Sequence, residues 1–325
     1  MANEAERAMK VLVTNDDGVG SPGLHALVRA LVDADHDVVV VAPDRDFSGS
    51  GAAIGHLHAD DHIDAAPVEL PGLAGVPAYA VDGPPGLCVL TARLGGFGDP
   101  PDIVVSGINP GCNTGRAVLH SGTVGAALTA ANFGVRGLAV SIDVVSSLVH
   151  EQAAGRPAEA GSADSAHGDA DHGDAPVIEL VEAPEDAVAT GESPTQDPDV
   201  GAPEHWDTAA AVAVAALGWL VDAPKATVLN LNVPDVPLGK LSGVRSATLA
   251  PFGTVRSTVV ETAEDGGRLQ VEMRPTTDEL PPGCDTALVA AGFVAVSAIS
   301  GVRVDEALDV TGTLAHVEAR VDAAP

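Results

Sequence analysis

Short apolar runs alternate with amphipathic segments along the first half of the chain. The runs at Lys10–Thr14 and Asp37–Ala42 are rich in Val, as is typical of strands that are buried on both faces. Between them, Pro22–Val32 carries apolar residues at helical spacing after a Pro that suits a helix start. The alternation continues with strands predicted at Ala78–Val81, Ile103–Ser106 and Leu138–Ile142 and helices predicted at Gly86–Leu94 and Thr123–Phe133. This order predicts an α/β fold with a doubly wound, mostly parallel sheet.

The pattern stops at about His150 and resumes at about Glu204. The intervening residues are rich in Asp, Glu, Ala, Gly and Pro and show little periodicity. Such a composition lacks the apolar positions that a packed core needs. We therefore predict a core domain at residues 1–149, an acidic, low-complexity, disordered insertion at 150–204, and a segment at 205–325 that completes the core.

The last segment begins with a predicted helix at His205–Val221 and a predicted strand at Thr227–Asn232. Thr254–Thr262 and Arg268–Arg274 then have the pattern of a β-hairpin around a Gly-containing turn. We expect this C-terminal α+β extension to pack on or between subunits.

Charge and cysteine content limit the functions and compartments that this protein is expected to have. The formal net charge of −30 argues against binding to nucleic-acid polymers or to anionic membranes, since both require clustered Lys and Arg. The three cysteines, Cys88, Cys112 and Cys284, are far apart and suggest neither a disulfide framework nor a zinc site. The first residues are polar and acidic, unlike a signal peptide, so we expect a cytoplasmic protein.

Polar clusters follow three of the predicted strands directly. They are Asn15-Asp16-Asp17, the loop Asp44–Ser50 and the loop Gly107–Gly115. In open parallel sheets, ligands bind outside the carboxyl ends of the strands. The sequence therefore predicts that these loops converge on one site at that edge.

The pair Asp16-Asp17 is the sharpest chemical signal in the chain. Adjacent carboxylates without a nearby Lys or Arg repel each other, and hard oxygen ligands favour Mg²⁺, Mn²⁺ or Ca²⁺ over zinc. The alternative from this tetrad alone is that one Asp caps the following helix while the other is simply exposed.

The same region also matches a dinucleotide-binding fingerprint. Gly18-Val-Gly20-Ser-Pro-Gly23 fits Gly-x-Gly-x-x-Gly after a strand, with Asp44 about twenty residues further on. Two carboxylates directly before the turn would oppose a pyrophosphate unless a metal intervenes. A nucleotide-dependent oxidoreductase and a non-catalytic sensor of nucleotides or metals are the alternatives to a phosphate-handling enzyme.

The loop Gly107–Gly115, after the fourth predicted strand, offers a site for an anion. It is rich in Gly and Asn and leads into Ser121-Gly122-Thr123 at a predicted helix start, where free backbone N–H groups favour phosphate. We expect a phosphate or substrate site formed by six residues: Ser106, Gly107, Asn113, Ser121, Gly122 and Thr123.

Four ordered motifs, at residues 13–23, 40–49, 104–115 and 120–127, resemble those of the SurE family, the survival-protein 5′-nucleotidases. The resemblance implies a Rossmann-like core and hydrolysis of nucleoside 5′-monophosphates, and in some members 3′-monophosphates. It implies one divalent cation per subunit, Mg²⁺ or Mn²⁺, held by Asp16, Asp17, Ser48 and Asn109. It assigns catalysis to Asp16 and Asp17. It also implies a homodimer or homotetramer with an exchanged C-terminal segment.

Three positions depart from the family pattern. A Gly-Thr-Pro-x-Asp-Cys stretch is replaced here by residues 83–88, which lose the Thr and the Asp. Arg116 stands where the family often has an acidic residue, and His120 stands in place of an aromatic residue. None of these positions belongs to the expected metal site, so they bear on substrate preference. His120 suits a packing or rim position better than a role in proton transfer.

Overall fold

The computed structural model describes residues 9–55, 62–144, 202–251, 255–261, 270–275 and 280–301, with the backbone alone at 255–261 and 270–275. Eleven strands lie in these ranges: β1 Lys10–Thr14, β2 Asp37–Pro43, β3 Ala65–Pro67, β4 Ala78–Val81, β5 Ile103–Pro110, β6 Arg136–Asp143, β7 Val228–Pro234, β8 Val244–Ser246, β9 Val255–Glu261, β10 Gln270–Pro275 and β11 Val294–Ile299. The α-helices in the same ranges are α1 Pro22–Asp33, α2 Pro85–Arg93, α3 Gly122–Asn132, α4 Trp206–Leu220 and α5 Asp285–Ala290. Short 3₁₀ turns occupy Gly115–His120 and Leu238–Lys240.

Nine strands form one sheet in the order β3-β4-β2-β1-β5-β6-β7-β11-β8. The strands from β4 to β7 are all parallel to their neighbours, while β3 and β11 run antiparallel to β4 and β7. The chain order reverses between β1 and β5, where β1 has β2 on one side and β5 on the other. Such a reversal opens a crevice at the carboxyl ends of the two central strands.

Helices cover both faces of the sheet. Side chains alternate between the faces along each strand, so apolar strands present an apolar surface on both faces for helices to bury. Val11 and Val13 of β1 pack with α1 and α4 in one apolar cluster, whereas Leu12 packs with α2 and α3 in another. All three side chains are completely buried. The predicted doubly wound, Rossmann-like α/β fold is confirmed.

The sequence predicts most elements to within a few residues, and β1 and β4 match their predictions fully. The main difference is β5, which continues past Ser106 to Pro110 with a shift in its pairing to β6. Asn109 therefore lies on a strand rather than in a free loop. Strands β9 and β10 pair antiparallel, as the hairpin pattern predicts. The chain from β7 onward mixes strands with α5, so the α+β extension is confirmed.

Strands β3, β8 and β11 and helix α5 were not predicted; β3 and β8 have only three residues each, too few to show a periodicity. Most of the acidic insertion lies outside the described residues, so the domain boundaries at 150–204 stay a prediction. No helix in the described part of the chain is long and apolar enough to cross a membrane.

Candidate active site

Asn15 shapes the turn that follows β1. Its Nδ2 donates hydrogen bonds to Gly18 O at 3.0 Å and to Ser21 Oγ at 2.7 Å. Ser21 is the N-cap of α1 and accepts from the N–H of Leu24. The cap of α1 is thus supplied by Ser21, and neither Asp16 nor Asp17 is used for it. The alternative in which an aspartate caps the following helix does not hold for α1.

Asp16 instead contacts the beginning of α3. Thr123 Oγ1 donates to Asp16 Oδ1 at 2.6 Å and lies 3.2 Å from Asn109 Oδ1. The amide of Asn109 is held in place because its Nδ2 donates to Gly111 O at 2.7 Å. This bond turns the amide oxygen toward Thr123 and Asp16. β1, β5 and α3 therefore bring a carboxylate, an amide oxygen and a hydroxyl together at the central crevice.

The loop after β2 closes the site from the other side. Phe47 N donates to Asp16 O at 2.7 Å. Ser48, the next residue after Phe47, is thereby held close to Asp16. Asp46 Oδ1 accepts from the N–H of Ser48 at 2.6 Å and holds the turn. The side chain of Ser48 is exposed at the rim.

Burial makes the two aspartates electrostatically unusual. Asp16 is 4% exposed, and burial raises its pKa although hydrogen bonds from Thr123 oppose the rise. Burial, followed by repulsion from Asp16 and Asp46, raises the pKa of Asp17 to about 8. Asp17 Oδ2 is buried without a hydrogen-bond partner, and no Lys or Arg in the described ranges pairs with either carboxylate.

These features fit a divalent cation. Two carboxylates, an oriented amide oxygen and a nearby hydroxyl form the hard oxygen set that Mg²⁺ and Mn²⁺ prefer. A cation would supply the partner that Asp17 Oδ2 lacks and reverse the rise in both pKa values. No group of three or more His, Cys, Asp or Glu suited to a metal occurs in the described part of the chain. The neutral ligands are therefore essential to such a site.

The six residues expected to hold phosphate divide into two groups. Ser121, Gly122 and Thr123 lie at the start of α3, where Ser121 Oγ is the N-cap and accepts from the N–H of Val124. A Cβ atom at Gly122 would lie only 2.7 Å from Asp16 Oδ2, so this helix end contacts the aspartate directly.

The other three lie on or after β5. Ser106 is fully buried beside Thr14 of β1, and Gly107 packs against the backbone of β6. Asn113 Nδ2 donates to Ser141 Oγ at 2.8 Å, and Ser141 on β6 is the strand partner of Asn109. The carbonyl of Asn113 also accepts hydrogen bonds from Asn230 and Asn232 on β7. In the described part of the chain, the hydrogen bond of the Asn113 side chain therefore goes to Ser141 and not to another predicted site residue.

Two residues of the β2 loop were missed by sequence reasoning. Asp46 adds a third negative charge close enough to raise the pKa values of Asp16 and Asp17. Ser50 has a buried hydroxyl near Asp16 and Gly122. Each lies two positions from Ser48 in the sequence, and that short spacing is the signal that would have identified them. The side chains of Arg116 and His120 are exposed, in agreement with a rim position for His120.

The comparisons with known proteins agree with this arrangement. The family model described as "Survival protein SurE" matches residues 11–254. The chain is 30% identical to "5′-nucleotidase SurE" of Dehalococcoides mccartyi over 298 residues, which is 90% of this chain and 88% of the relative. It is 31% identical to "5′/3′-nucleotidase SurE" of Edwardsiella ictaluri over 97% of this chain and 98% of the relative. A crystal structure of the SurE protein from Aquifex aeolicus has the same fold, with a TM-score of 0.63, 23% identity, and coverage of 95% of this chain and 99% of that one.

Proposed function

This chain belongs to the survival protein SurE family, and we propose that it hydrolyses nucleoside 5′-monophosphates as a metal-dependent phosphomonoesterase. The contact of Asp16 with Thr123 at the central crevice carries this proposal, because it sets a cation site against a helix start that favours phosphate. Relatives named as 5′- and 5′/3′-nucleotidases extend the proposal to 3′-monophosphates as further substrates.

Asp16, Asp17, Ser48 and Asn109 would hold one cation, Mg²⁺ or Mn²⁺, in each subunit. When bound, such an ion polarises the phosphoryl oxygens and offsets negative charge. The protein's own contribution is positioning: Thr123 holds the Asp16 carboxylate, and Gly111 holds the Asn109 amide. Because these groups are fixed before substrate arrives, little reorganisation remains for the reaction itself.

The start of α3 is the proposed seat of the phosphoryl group. The N–H groups of Gly122 and Thr123 lie at the positive end of the helix dipole, where developing negative charge is stabilised. Gly107 and Ser106 on β5 and the N-cap Ser121 complete the phosphate site in this proposal. Asn113 contributes through the conformation of its loop, since its side chain binds Ser141.

Two glycines of the turn after β1 have structural roles that need no dinucleotide. Gly18 has a φ of +97° and lies against the backbone of Arg45, with a would-be Cβ contact of 3.3 Å. At Gly23 a Cβ atom would lie 2.1 Å from Ile108 O, so this glycine permits α1 to pack on β5. Packing therefore explains two of the three fingerprint glycines, Gly18 and Gly23, which favours the phosphatase over the oxidoreductase.

A phosphate-release assay tests the proposal. Purified protein is incubated with AMP, GMP, a 3′-monophosphate and short polyphosphate, each with Mg²⁺, with Mn²⁺ and with EDTA. We expect release from a nucleoside monophosphate only with a divalent cation, and none from the Asp16→Asn variant. Tight binding of NAD without metal would favour the oxidoreductase, and nucleotide binding without turnover would favour the sensor.

Assembly and location complete the proposal. A groove of about 880 Å³ lies between α3 and the β7–β11 edge, lined by apolar side chains that include Leu119 and Phe133. Leu119 and Ile54, which both line this groove, are 74% and 39% exposed, and such an exposed apolar surface supports a homodimer or homotetramer. Three cysteines without a pairing pattern support a cytoplasmic location.

A further inference from the structure

Ser50 carries a hydroxyl group that the fold leaves without a partner. Its Oγ atom is buried, and no hydrogen-bond partner for it exists among the described residues. A serine hydroxyl can donate one hydrogen bond and accept two, and buried hydroxyls are normally satisfied. An unsatisfied buried hydroxyl in a loop at the edge of a catalytic crevice indicates a ligand that completes it.

The hydroxyl lies directly at the start of α3. A Cβ atom built on Gly122 would be 2.9 Å from Ser50 Oγ and 2.7 Å from Asp16 Oδ2. Both oxygens therefore flank the first residue of an eleven-residue helix whose N-terminal end favours anions. Ser50 belongs to the same β2 loop that carries Ser48.

Hydrogen bonds of the loop hold the backbone of Ser50 in a fixed position. Ser50 N donates to Phe47 O at 3.1 Å, and Ala53 N donates to Ser50 O at 3.1 Å. The N–H of the next residue, Gly51, donates to His120 O just before α3. The backbone of Gly51 also packs closely against Gly125 of α3. A Cβ atom at Gly125 would lie 2.1 Å from Gly51 O, so the loop packs directly on the helix. A backbone held this firmly keeps the Ser50 side chain beside the start of α3, where it can bind a ligand.

A phosphoryl oxygen is the ligand that this position fits. The helix start attracts an anion, while Asp16, Asp17 and Asp46 repel one, so a neutral donor adds binding without further charge. Ser50 differs from Ser48 in burial, because the Ser50 hydroxyl oxygen is buried whereas the Ser48 side chain is exposed at the rim. A hydrogen bond from a neutral hydroxyl to a charged phosphoryl oxygen is among the stronger hydrogen bonds in proteins.

We propose that Ser50 is a phosphoryl-binding residue, whose hydroxyl donates a hydrogen bond to a phosphoryl oxygen held at the start of α3. The proposal rests on the nucleotidase function proposed above and adds a residue to its phosphate site. It applies equally to the phosphoryl group of the substrate and to the inorganic phosphate that is released.

The test compares Ser50→Ala with Ser246→Ala, a control in which an exposed serine on β8 is changed. Binding of inorganic phosphate to the Mg²⁺- or Mn²⁺-loaded proteins is measured by isothermal titration calorimetry. Inhibition of AMP hydrolysis by phosphate and by adenosine is measured in parallel. For Ser50→Ala we expect phosphate affinity to fall about tenfold or more, as for the loss of a hydrogen bond to a charged group. Adenosine inhibition, metal affinity and melting temperature should stay close to those of the wild type.

Three outcomes separate the possibilities. Phosphate affinity within about twofold of the wild type in Ser50→Ala would overturn the proposal. A parallel loss of metal affinity and melting temperature would also overturn it, because Ser50 would then be a packing residue. If the wild type binds phosphate but hydrolyses no nucleotide, the nucleotidase function fails while the calorimetry still decides the role of Ser50.

Discussion

Thr123 Oγ1 lies 2.6 Å from Asp16 Oδ1, although 107 residues separate the two along the chain. Asp16 follows β1, and Thr123 is in the first turn of α3, so this bond joins the two elements that border the central crevice. Burial raises the pKa of the Asp16 carboxyl group, and the bond from Thr123 favours its charged form. A threonine at the helix start therefore helps to keep a buried carboxylate available for a cation.

Thr123→Val should weaken the proposed metal site without unfolding the protein. Valine is nearly isosteric with threonine but leaves Asp16 Oδ1 without its donor, which costs about 1–3 kcal/mol for a buried group. We expect weaker binding of Mn²⁺ by calorimetry and a lower kcat for AMP. Thr123→Ser keeps the hydroxyl and is the control. Equal metal affinity in the Val and Ser variants would contradict the role of this hydrogen bond.

Asp16→Asn and Asp17→Asn should each nearly abolish hydrolysis. Each change removes one of only two charged ligands in the proposed set, so metal affinity should fall steeply while the fold is retained. Phosphate release and circular dichroism of each variant check this expectation. Activity close to that of the wild type in both variants would exclude these carboxylates as metal ligands.

The metal-free protein should become less stable as the pH rises from about 4 to about 8. Asp17 has a pKa of about 8 in the folded protein and an ordinary value of 3.8, so only the folded state retains the proton in this window. Since the folded state binds more protons, its free energy of unfolding falls with rising pH.

Asp17→Asn lacks this titration, so its advantage in melting temperature over the wild type, in EDTA, should be small at pH 5 and larger at pH 8. Comparing the two proteins at each pH removes the contribution of groups that they share. Addition of Mn²⁺ at pH 8 should reduce the difference, because the ion stabilises the charged form of Asp17. An advantage that is independent of pH would show that Asp17 titrates normally.

Gly122→Ala should reduce activity by at least about tenfold while stability changes little. A Cβ atom would lie 2.7 Å from Asp16 Oδ2 and 2.9 Å from Ser50 Oγ, closer than real Cβ contacts, so both groups must move. Displacement of positioned groups by a fraction of an ångström is enough to cost this much in rate. Replacing a helical Gly by Ala also adds up to about 1 kcal/mol of helix propensity, which offsets the strain.

Gly218→Ala is the matched control in α4, where nothing lies within 4 Å of the added methyl group. We expect it to keep full activity and to melt at the same or a slightly higher temperature. A fully active Gly122→Ala protein would show that the start of α3 does not form part of the site.

Salt should not weaken substrate capture in this acidic protein. With a net charge of −30, the long-range field repels a nucleotide dianion, and screening over about 10 Å at 0.1 M salt reduces that repulsion. At saturating metal we expect kcat/KM for AMP to rise or to stay flat between low and moderate ionic strength. A steep fall would indicate a basic patch that steers the substrate.

Arg45 is the first candidate for such a patch, but its charge is already offset. Its guanidinium group contacts Asp44 at 3.0 Å and Asp82 at 2.7 Å and stacks on Phe47. Arg45→Gln should therefore change kcat/KM by no more than about twofold at any salt concentration. Arg116, which is exposed, is the second residue to test if the salt dependence is steep.

The sequence by itself determined the elements of the central sheet and the position of the aspartates. Buried parallel strands are continuous Val-rich runs, so β1 was predicted with its full bounds, and the short apolar run of β4 was predicted with its full bounds as well. The end of β1 places Asp16 and Asp17 at the carboxyl edge of the sheet by local geometry alone. The four ordered motifs also identified the family, which the comparisons confirm.

Only the tertiary structure decided which side chains meet at that edge. It extends β5 to carry Asn109, directs Asn113 toward Ser141, and brings Thr123 and Ser50 to Asp16. These contacts depend on how β1, β5, α3 and the β2 loop pack against one another. Packing of that kind is set by side chains far apart in the sequence, whereas hydrophobic periodicity reports only on neighbours within an element.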